Sequence, residues 1–274
     1  MQAADVLRSR MHLCLPMASR ADRHKPQGYV APKRRAKSAG SLPQNLPHYE
    51  LQRLLQPNPG TDGVWKYDIQ YSPDGLPLLA ESSPPPFCPM ALEEIFGRTA
   101  PLEIEIGMGK GSFLIPYAKL HPEINLLGIE WAWPIALHAH ERLRRQGDLA
   151  NARILVGDAP FFLRDRLPRG SVQAFHIYFP DPWPKERARK RRIMQPEFLS
   201  ILRLCAHAGA RLYWGTDHEE YDLSTREVLL ADGGFRLLTD NAPPLDGLRT
   251  NFESKYLEEG RPIHRSVWEI SPAA

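Results

Sequence analysis

One short segment of the chain places a carboxylate, an aromatic ring and dense positive charge side by side. Asp181 lies between Pro180 and Pro182, and Trp183 follows directly. Because proline fixes its own φ angle and restricts the residue before it, Asp181 is held rather than mobile. Six of the eight residues 185–192 are basic, namely Lys185, Arg187, Arg189, Lys190, Arg191 and Arg192. The positive charge beside the held carboxylate suits a phosphate-bearing ligand. The simpler alternative is a proline-rich turn followed by a solvated charged helix.

Three further acids are associated with successive apolar segments. Glu105 lies near the end of the first segment, Glu130 ends the second and Asp158 ends the third. Such segments predict parallel strands, and open α/β sheets bind ligands at the carboxyl ends of their strands. A carboxylate at Glu130 can take both hydroxyls of a ribose, and Asp158 falls where an adenine edge would lie. The pattern predicts a nucleoside-binding crevice, with acids that merely face solvent as the alternative.

A glycine turn follows the first segment and opens a helix. Gly107, Gly109 and Gly111 allow a sharp turn and a close approach of the backbone to a ligand. Their spacing is G-x-G-x-G, whereas a pyrophosphate prefers G-x-G-x-x-G, and Glu105 would repel a diphosphate. S-adenosylmethionine carries a sulfonium and an ammonium group but no phosphate. Charge matching therefore favours S-adenosylmethionine over NAD.

Alternating strand and helix patterns must position these residues. Strands are expected at 102–106, 125–130, 152–157, 172–179, 210–215, 235–239 and 267–270. Helices are expected up to about 120, over 133–146, after Pro160, and over 196–207 and 219–231. This order predicts an α/β domain with a mostly parallel sheet and helices on both faces.

The first 95 residues differ in texture from the rest. Residues 1–48 are polar and basic and are expected to form a disordered arm, and residues 49–95 form a proline-rich extension with one short strand or hairpin near Trp65. Residues 1–40 carry a net charge of +7, so the total of +3 leaves −4 for the remaining chain. A nucleic-acid footprint must therefore be local, on the 185–192 cluster and the arm.

The composition indicates the compartment in which the protein is expected and the kinds of site that it lacks. Hydrophobic residues make up 42% of the chain, and no apolar run is long enough to cross a bilayer. The three cysteines, Cys14, Cys88 and Cys205, have neither a disulfide pattern nor metal-ligand spacing. We expect a cytoplasmic protein with no metal and no obligate protein partner.

Taken together, several motifs identify a family. They are 105–111 (EIGMGKG), 128–130 (GIE), 157–159 (GDA), 179–192 (FPDPWPKERARKRR), 215–217 (GTD) and 250–253 (TNFE). Over residues 96–270 the sequence resembles the tRNA (guanine-N7-)-methyltransferase family of the bacterial TrmB type. The resemblance implies a Rossmann-like class I methyltransferase domain over 96–274, with a seven-stranded, mostly parallel sheet and S-adenosylmethionine as cofactor.

The resemblance also assigns site residues. It implies cofactor contacts at Glu105, Gly107, Gly109, Gly111, Glu130, Asp158, Ala159 and Asp181. It implies tRNA contacts at Lys185, Asp217, Thr250, Asn251, Phe252 and Glu253. From their positive charge alone, we also expect Arg187, Lys190, Arg191 and Arg192 to contact the phosphate backbone of the tRNA. The implied target is the variable-loop guanosine, position 46 in tRNA numbering. Asn251 stands where the family usually has lysine, and the first 95 residues are longer than the family's usual start.

The expected chemistry needs little more than alignment. Guanine N7 has an in-plane lone pair, so no general base is required. Asp181 is the candidate catalytic residue, since it can hold the base and balance the charge that develops on it. Trp183 either stacks on a base or packs under the turn. An NAD-dependent oxidoreductase and an inactive RNA-binding module remain the alternative functions.

Overall fold

The computed structural model describes residues 91–147 and 149–273, together with Pro89 and the backbone of three short strands before them. The strands are β1 (Val64–Lys66), β2 (Gln70–Tyr71), β3 (Pro77–Leu78), β4 (Leu102–Ile106), β5 (Asn125–Glu130), β6 (Ala152–Val156), β7 (Val172–Tyr178), β8 (Ala206–Thr216), β9 (Phe235–Asp240) and β10 (His264–Ile270). The helices are α1 (Leu92–Phe96), α2 (Leu114–Leu120), α3 (Trp133–Arg145), α4 (Ala159–Arg166), α5 (Pro196–Cys205), α6 (Glu219–Asp232) and α7 (Asn251–Glu258).

One large sheet organises the described part of the chain. Its strand order is β1-β6-β5-β4-β7-β8-β10-β9, and β2 pairs separately with β3. Strand β10 runs antiparallel to both of its neighbours, whereas the pairs from β6 to β8 are parallel. The seven strands β4–β10 confirm the predicted Rossmann-like sheet, and β1 adds an eighth strand parallel to β6.

Helices cover both faces of this sheet, as predicted. On one face, α4, α5 and α6 pack onto a core that includes Ile104, Phe175 and Trp214. On the other face, α2 and α3 enclose a second core with Leu114 and Ile154. Central strands buried on both sides read as continuous apolar runs, which is why β5 and β7 were recognisable from sequence.

Strand β4 sorts its residues between the two faces. Leu102, Ile104 and Ile106 belong to the first core, so the alternation of a strand puts Glu103 and Glu105 on the opposite face. Both acids therefore lie on the face of the sheet that α2 and the loop before it cover. Glu105 lies near the carboxyl end of β4, directly before the glycine turn.

The basic cluster forms a short 3-10 helix, Glu186–Arg191, in line with the alternative of a charged helix after the proline-rich turn. Helix α7, Asn251–Glu258, lies between β9 and β10 and was not predicted. The predicted arm, residues 1–48, lies outside the described residues, and of the extension only short pieces are described, so these domain boundaries stay predictions. In the part that is described, every helix is too short or too polar to cross a lipid bilayer.

Candidate functional site

The glycine turn between β4 and α2 forms an open cradle. Gly107, Gly109 and Gly111 have φ angles of +74°, +57° and +67°, which side-chain-bearing residues rarely adopt. A Cβ atom at Gly107 or Gly109 would meet nothing within 4 Å in the part of the chain that the structure describes. The backbone here is therefore bare on the side that faces outward, and a ligand can approach it closely.

The cradle is supported from below by β5. The amide of Gly107 donates to the carbonyl of Ile129 at 2.8 Å. A Cβ atom at Gly128 would lie 2.4 Å from Sδ of Met108, so any side chain here would displace Met108, and glycine lets the turn pack closely on the strand. The glycine of the 128–130 motif thus has a structural task.

Glu105 and Glu130 are the acids closest to this turn. Glu105 is 3% exposed, and burial, with a smaller contribution from the negative charge of Glu130, raises the pKa of its carboxyl well above its usual range. The carboxylate of Glu130 accepts hydrogen bonds from the amides of Gly109, at 3.1 Å, and Ala132, at 2.8 Å. Glu130 therefore also fixes the turn.

The third acid lies two residues after the end of β6. Asp158 caps α4, since its side chain accepts from the amide of Phe161 at 2.9 Å. Ala159, the first residue of α4, is buried. Since β6 neighbours β5 in the sheet, Asp158 and Glu130 lie on adjacent strand ends, as the sequence predicted.

The residues present fit a cationic, phosphate-free nucleoside. Oε2 of Glu105 is buried and has no hydrogen-bond partner within the described residues. A buried carboxylate oxygen without a partner is costly, and a positively charged group of a ligand would relieve this cost. Together with the space over Gly107 and Gly109, this oxygen matches the ammonium group of S-adenosylmethionine.

The turn that carries Asp181 is strained at both ends. Phe179 and Trp183 have φ angles of +53° and +42°, and they are two of four non-glycine residues with positive φ in the described part of the chain. Such conformations cost about 1–3 kcal/mol each and persist only where the surroundings enforce them. Asp181 is exposed between them. The strain is consistent with a carboxylate held in place for a task.

The basic cluster divides into two groups. Lys185, Arg187 and Lys190 are exposed on the 3-10 helix and its start. Arg191 lies over the Trp183 ring at 4.9 Å. Arg192, in contrast, is 5% exposed and bonded to neighbouring protein groups, so its position does not suit the predicted contact with tRNA phosphate.

Residues 250–253 form the start of α7. The Thr250 hydroxyl caps the helix by accepting from the amide of Glu253 at 3.1 Å. Glu253 is 3% exposed and pairs with Arg265. Asn251 and Phe252 are exposed, and Phe252 retains 53% of its accessible surface. Two of the four residues thus build the helix, and two face solvent.

Helix α7 lies between the two halves of the site. On one side, the amide of Asn251 donates to Oγ of Ser112 in the glycine turn, at 3.0 Å. On the other side, Tyr256 lies 5.7 Å from the ring of Phe179. The structure therefore brings the cofactor turn, the Asp181 turn and the 250–253 segment into one neighbourhood.

Asp217 joins the same neighbourhood through Arg261. Its carboxylate pairs with Arg261 at 2.9 Å, and the guanidinium of Arg261 lies 4.5 Å from the centre of the Tyr256 ring. Burial, followed by the negative charge of Asp217, raises the pKa of Tyr256. Sequence reasoning missed Ser112, Tyr256 and Arg261, since their roles depend on contacts across 40 residues or more.

The comparisons with known proteins agree with this geometry. A family described as "Putative methyltransferase" matches residues 99–266. A tRNA (guanine-N(7)-)-methyltransferase of Nitrosococcus oceani is 37% identical over 182 residues, which cover 66% of this chain and 75% of the relative. A protein of the same name from Rhodopirellula baltica is 34% identical over 236 residues, covering 82% of this chain and 81% of the relative.

A solved structure supports the fold alone. The 16S rRNA methyltransferase KamB superposes with a TM-score of 0.52 at 15% identity, over 66% of this chain and 93% of that one. The sequence relatives go further than the fold, because they are above 30% identical and most of their length is matched. The chain therefore belongs to the tRNA (guanine-N7-)-methyltransferase family.

Proposed function

We propose that this protein transfers a methyl group from S-adenosylmethionine to N7 of guanine in tRNA, giving 7-methylguanosine. The target that we propose is the variable-loop guanosine at position 46, and the reaction takes place in the cytoplasm. The observation that carries the proposal is the buried Oε2 of Glu105, which has no hydrogen-bond partner among the described residues and lies beside the open glycine turn. The names of the relatives support the substrate.

In the proposal, the acids at the strand ends hold the cofactor. Glu105 receives the cationic end, Glu130 the ribose hydroxyls, and Asp158 with Ala159 the adenine edge. Gly107, Gly109 and Gly111 let the backbone approach closely. When bound, S-adenosylmethionine supplies an electrophilic methyl group on a positively charged sulfur, and this charge passes to guanine as N7 is methylated.

Asp181 is the proposed catalytic residue. Its carboxylate is exposed at the carboxyl end of β7, next to β4, which carries Glu105. There it can hold the edge of the guanine and stabilise the positive charge that develops on the base. No general base is required, because the N7 lone pair is already available. Alignment by the rigid turn supplies the remaining rate enhancement.

The proposed tRNA surface consists of the 3-10 helix and the start of α7. Lys185, Arg187 and Lys190 are exposed and would contact phosphates, which sets affinity rather than base identity. Phe252 offers an exposed ring on which a base can stack. Asn251, where the family has lysine, contributes no charge here. Asp217 completes this surface beside Arg261.

The test is mass analysis of tRNA nucleosides after incubation with the protein and S-adenosylmethionine. We expect 7-methylguanosine, and a guanosine-to-adenosine change at position 46 should abolish it. Asp181→Asn keeps the shape of the side chain and removes its charge. Single-turnover methylation should then slow by about 10–1,000-fold, as for other groups that stabilise a developing charge.

Three results would count against the proposal. Unmodified tRNA would leave an inactive RNA-binding module. Methylation elsewhere would retain the chemistry and reject the variable loop. A near-normal rate in the folded Asp181→Asn variant would reject the catalytic role of Asp181 and leave it as a residue of the turn.

A further inference from the structure

Arg192 differs from the other basic residues of the 185–192 cluster. It is 5% exposed, whereas Lys185, Arg187 and Lys190 are exposed. A buried guanidinium requires several partners, because leaving its charge unpaired would be costly. All three nitrogen atoms of the Arg192 guanidinium have a partner within the protein.

One of these partners belongs to the catalytic turn. Nε of Arg192 donates to the carbonyl oxygen of Pro182 at 2.8 Å, directly beside Asp181. Proline lacks an N–H group, so the Pro180-Asp181-Pro182 segment offers few donors for fixing its own shape. A donor from outside the turn is therefore an effective way to hold it.

The other partners belong to α6. Nη1 donates to Oε1 of Glu220 at 3.1 Å and to Oγ of Ser224 at 2.9 Å, and Nη2 also pairs with Glu220. The guanidinium lies 4.5 Å from the centre of the Tyr221 ring, which is itself buried. Arg192 thus connects the turn to the first two turns of a helix that packs on the core.

Strain in the turn explains why such a connection is needed. Phe179 and Trp183 both adopt positive φ angles, which a free segment would leave. Arg191 adds a second contact, since it lies over the Trp183 ring at 4.9 Å. Arg191 and Arg192, at the end of the basic cluster, therefore both contact the segment that carries Asp181.

We propose that Arg192 is a positioning residue for Asp181, which it holds through the Pro182 carbonyl and the Glu220 carboxylate, and that it does not bind tRNA phosphate. The proposal rests on the proposed function for its kinetic readout. It deepens that function, because the basic cluster then has two tasks: its exposed residues bind tRNA, and its buried residue shapes the catalytic turn.

Arg192→Lys is the discriminating variant. Lysine keeps the positive charge, but its single ammonium cannot reach the carbonyl, the carboxylate and the hydroxyl in the fixed directions of a guanidinium. We expect single-turnover methylation at saturating tRNA to fall by about 10–100-fold, as for other small misplacements of reacting groups. The dissociation constant for tRNA and its salt dependence should stay within about twofold of the wild type, because no phosphate-binding group is removed.

Lys190→Ala is the matched control from the exposed group. It should weaken tRNA binding and reduce the slope of log K against log salt by about 0.9, the effect of removing a single phosphate-binding charge. If Arg192→Lys instead retained the wild-type methylation rate, Arg192 would not position Asp181. If Arg192→Ala flattened the salt dependence as Lys190→Ala does, Arg192 would bind phosphate, and either result would overturn the proposal.

A second measurement does not depend on activity. Hydrogen–deuterium exchange of the peptide spanning 176–186, without any substrate, should be faster in Arg192→Lys than in the wild type. Unchanged exchange would overturn the positioning role. If the wild-type protein failed to methylate tRNA, the proposed function would fall, while this exchange result would still decide the role of Arg192.

Glu220→Gln covers the case in which Arg192→Lys fails to fold. It removes the charge that holds the guanidinium but leaves Arg192 in place. We expect an intermediate slowing of methylation and faster exchange over 176–186. Where both single variants fold, the double variant should be no slower than Arg192→Lys alone, since both changes break the same interaction. Independent, additive decreases in rate would overturn the proposal.

Discussion

At the scale of single residues, Glu105 is unusual because its carboxyl group is buried and only partly hydrogen-bonded. Its side chain is almost fully buried, Oε2 has no partner within the described residues, and Glu130 lies close enough to oppose a second negative charge. Burial raises the pKa of the carboxyl, so the free protein favours the neutral acid over a wider pH range than an ordinary glutamate. A bound cation would instead favour the ionised carboxylate of Glu105, because the opposite charge stabilises it.

This reversal predicts pH-dependent cofactor binding. Between about pH 5 and 7 the ligand's ammonium stays charged, so binding should release a proton from Glu105 and affinity should rise with pH. Calorimetry in two buffers of different ionisation enthalpy measures the released proton. Glu105→Gln should weaken binding and remove that release. Affinity that is flat with pH in the wild type would remove Glu105 from the cation site.

The raised pKa of Glu105 has the opposite pH dependence for folding: its contribution to stability falls as pH rises, whereas cofactor affinity is expected to increase. A folded-state pKa above the ordinary value of 4.5 means that the free protein binds this proton more tightly than the unfolded chain does. The contribution of Glu105 to stability is therefore fully present below that ordinary pKa and is lost as pH rises through the folded pKa. The residue is retained at a cost in stability, which is typical of a ligand-binding group.

Residue identity alone could not separate exposed charged residues from buried, paired ones. Arg192 and Lys190 look alike in the sequence, yet one is buried against Glu220 and the other is exposed. Glu253, whose contact with tRNA stays a prediction, pairs with Arg265 inside the protein. In both cases the deciding partner is 12 or more residues away and is chosen by packing, which a local pattern does not encode.

At the scale of elements, most strands and helices were predictable. The bounds of β4 and β5 agree with the prediction because short apolar runs ending at glycine or an acid are unambiguous in a parallel sheet. Helix α7 was missed although its start has a capping signature, Thr250 followed three residues later by Glu253. Its eight residues are mostly exposed, so they lack the apolar stripe that marks longer helices.

Removing the cap tests what α7 contributes. Thr250→Ala deletes the hydroxyl that accepts from the Glu253 amide, and it should lower the free energy of unfolding by about 0.5–2 kcal/mol. Thr250→Ser keeps a hydroxyl and should remain near the wild type. Urea denaturation measures both. We also expect a higher KM for tRNA in the alanine variant, since α7 carries Phe252.

A different pattern would change the assignment of Thr250. If Thr250→Ala left the free energy of unfolding unchanged but abolished methylation, the hydroxyl would act on the substrate rather than on the helix. If both variants were equally impaired in activity, the methyl group of threonine rather than its hydroxyl would be the group that matters.

At the scale of the whole molecule, charge is unevenly distributed. Residues 1–40 carry a net +7, while the remaining chain carries −4. Four exposed basic residues lie close together in that remaining chain, namely Lys185, Arg187, Arg189 and Lys190. Because Arg189 and Arg192 both pair with Glu220, the cluster offers fewer charges to tRNA than its sequence suggests. We therefore expect the first 48 residues to supply a substantial part of the attraction to the tRNA backbone.

Deleting residues 1–48 tests how much of the attraction to tRNA comes from this segment and how much from the rest of the chain. The truncated chain retains the described sheet, so single-turnover methylation at saturating tRNA should remain close to that of the full chain. Its tRNA affinity should fall, and the slope of log K against log salt should flatten by about 0.9 for each phosphate that the arm neutralises. Neutralising Lys185, Arg187 and Lys190 together should flatten the slope further by a separate amount, because the effects of distant sites add. An unchanged slope after truncation would place all the phosphate-binding charge on the body, and a lower rate at saturating tRNA would give the arm a part in aligning the substrate.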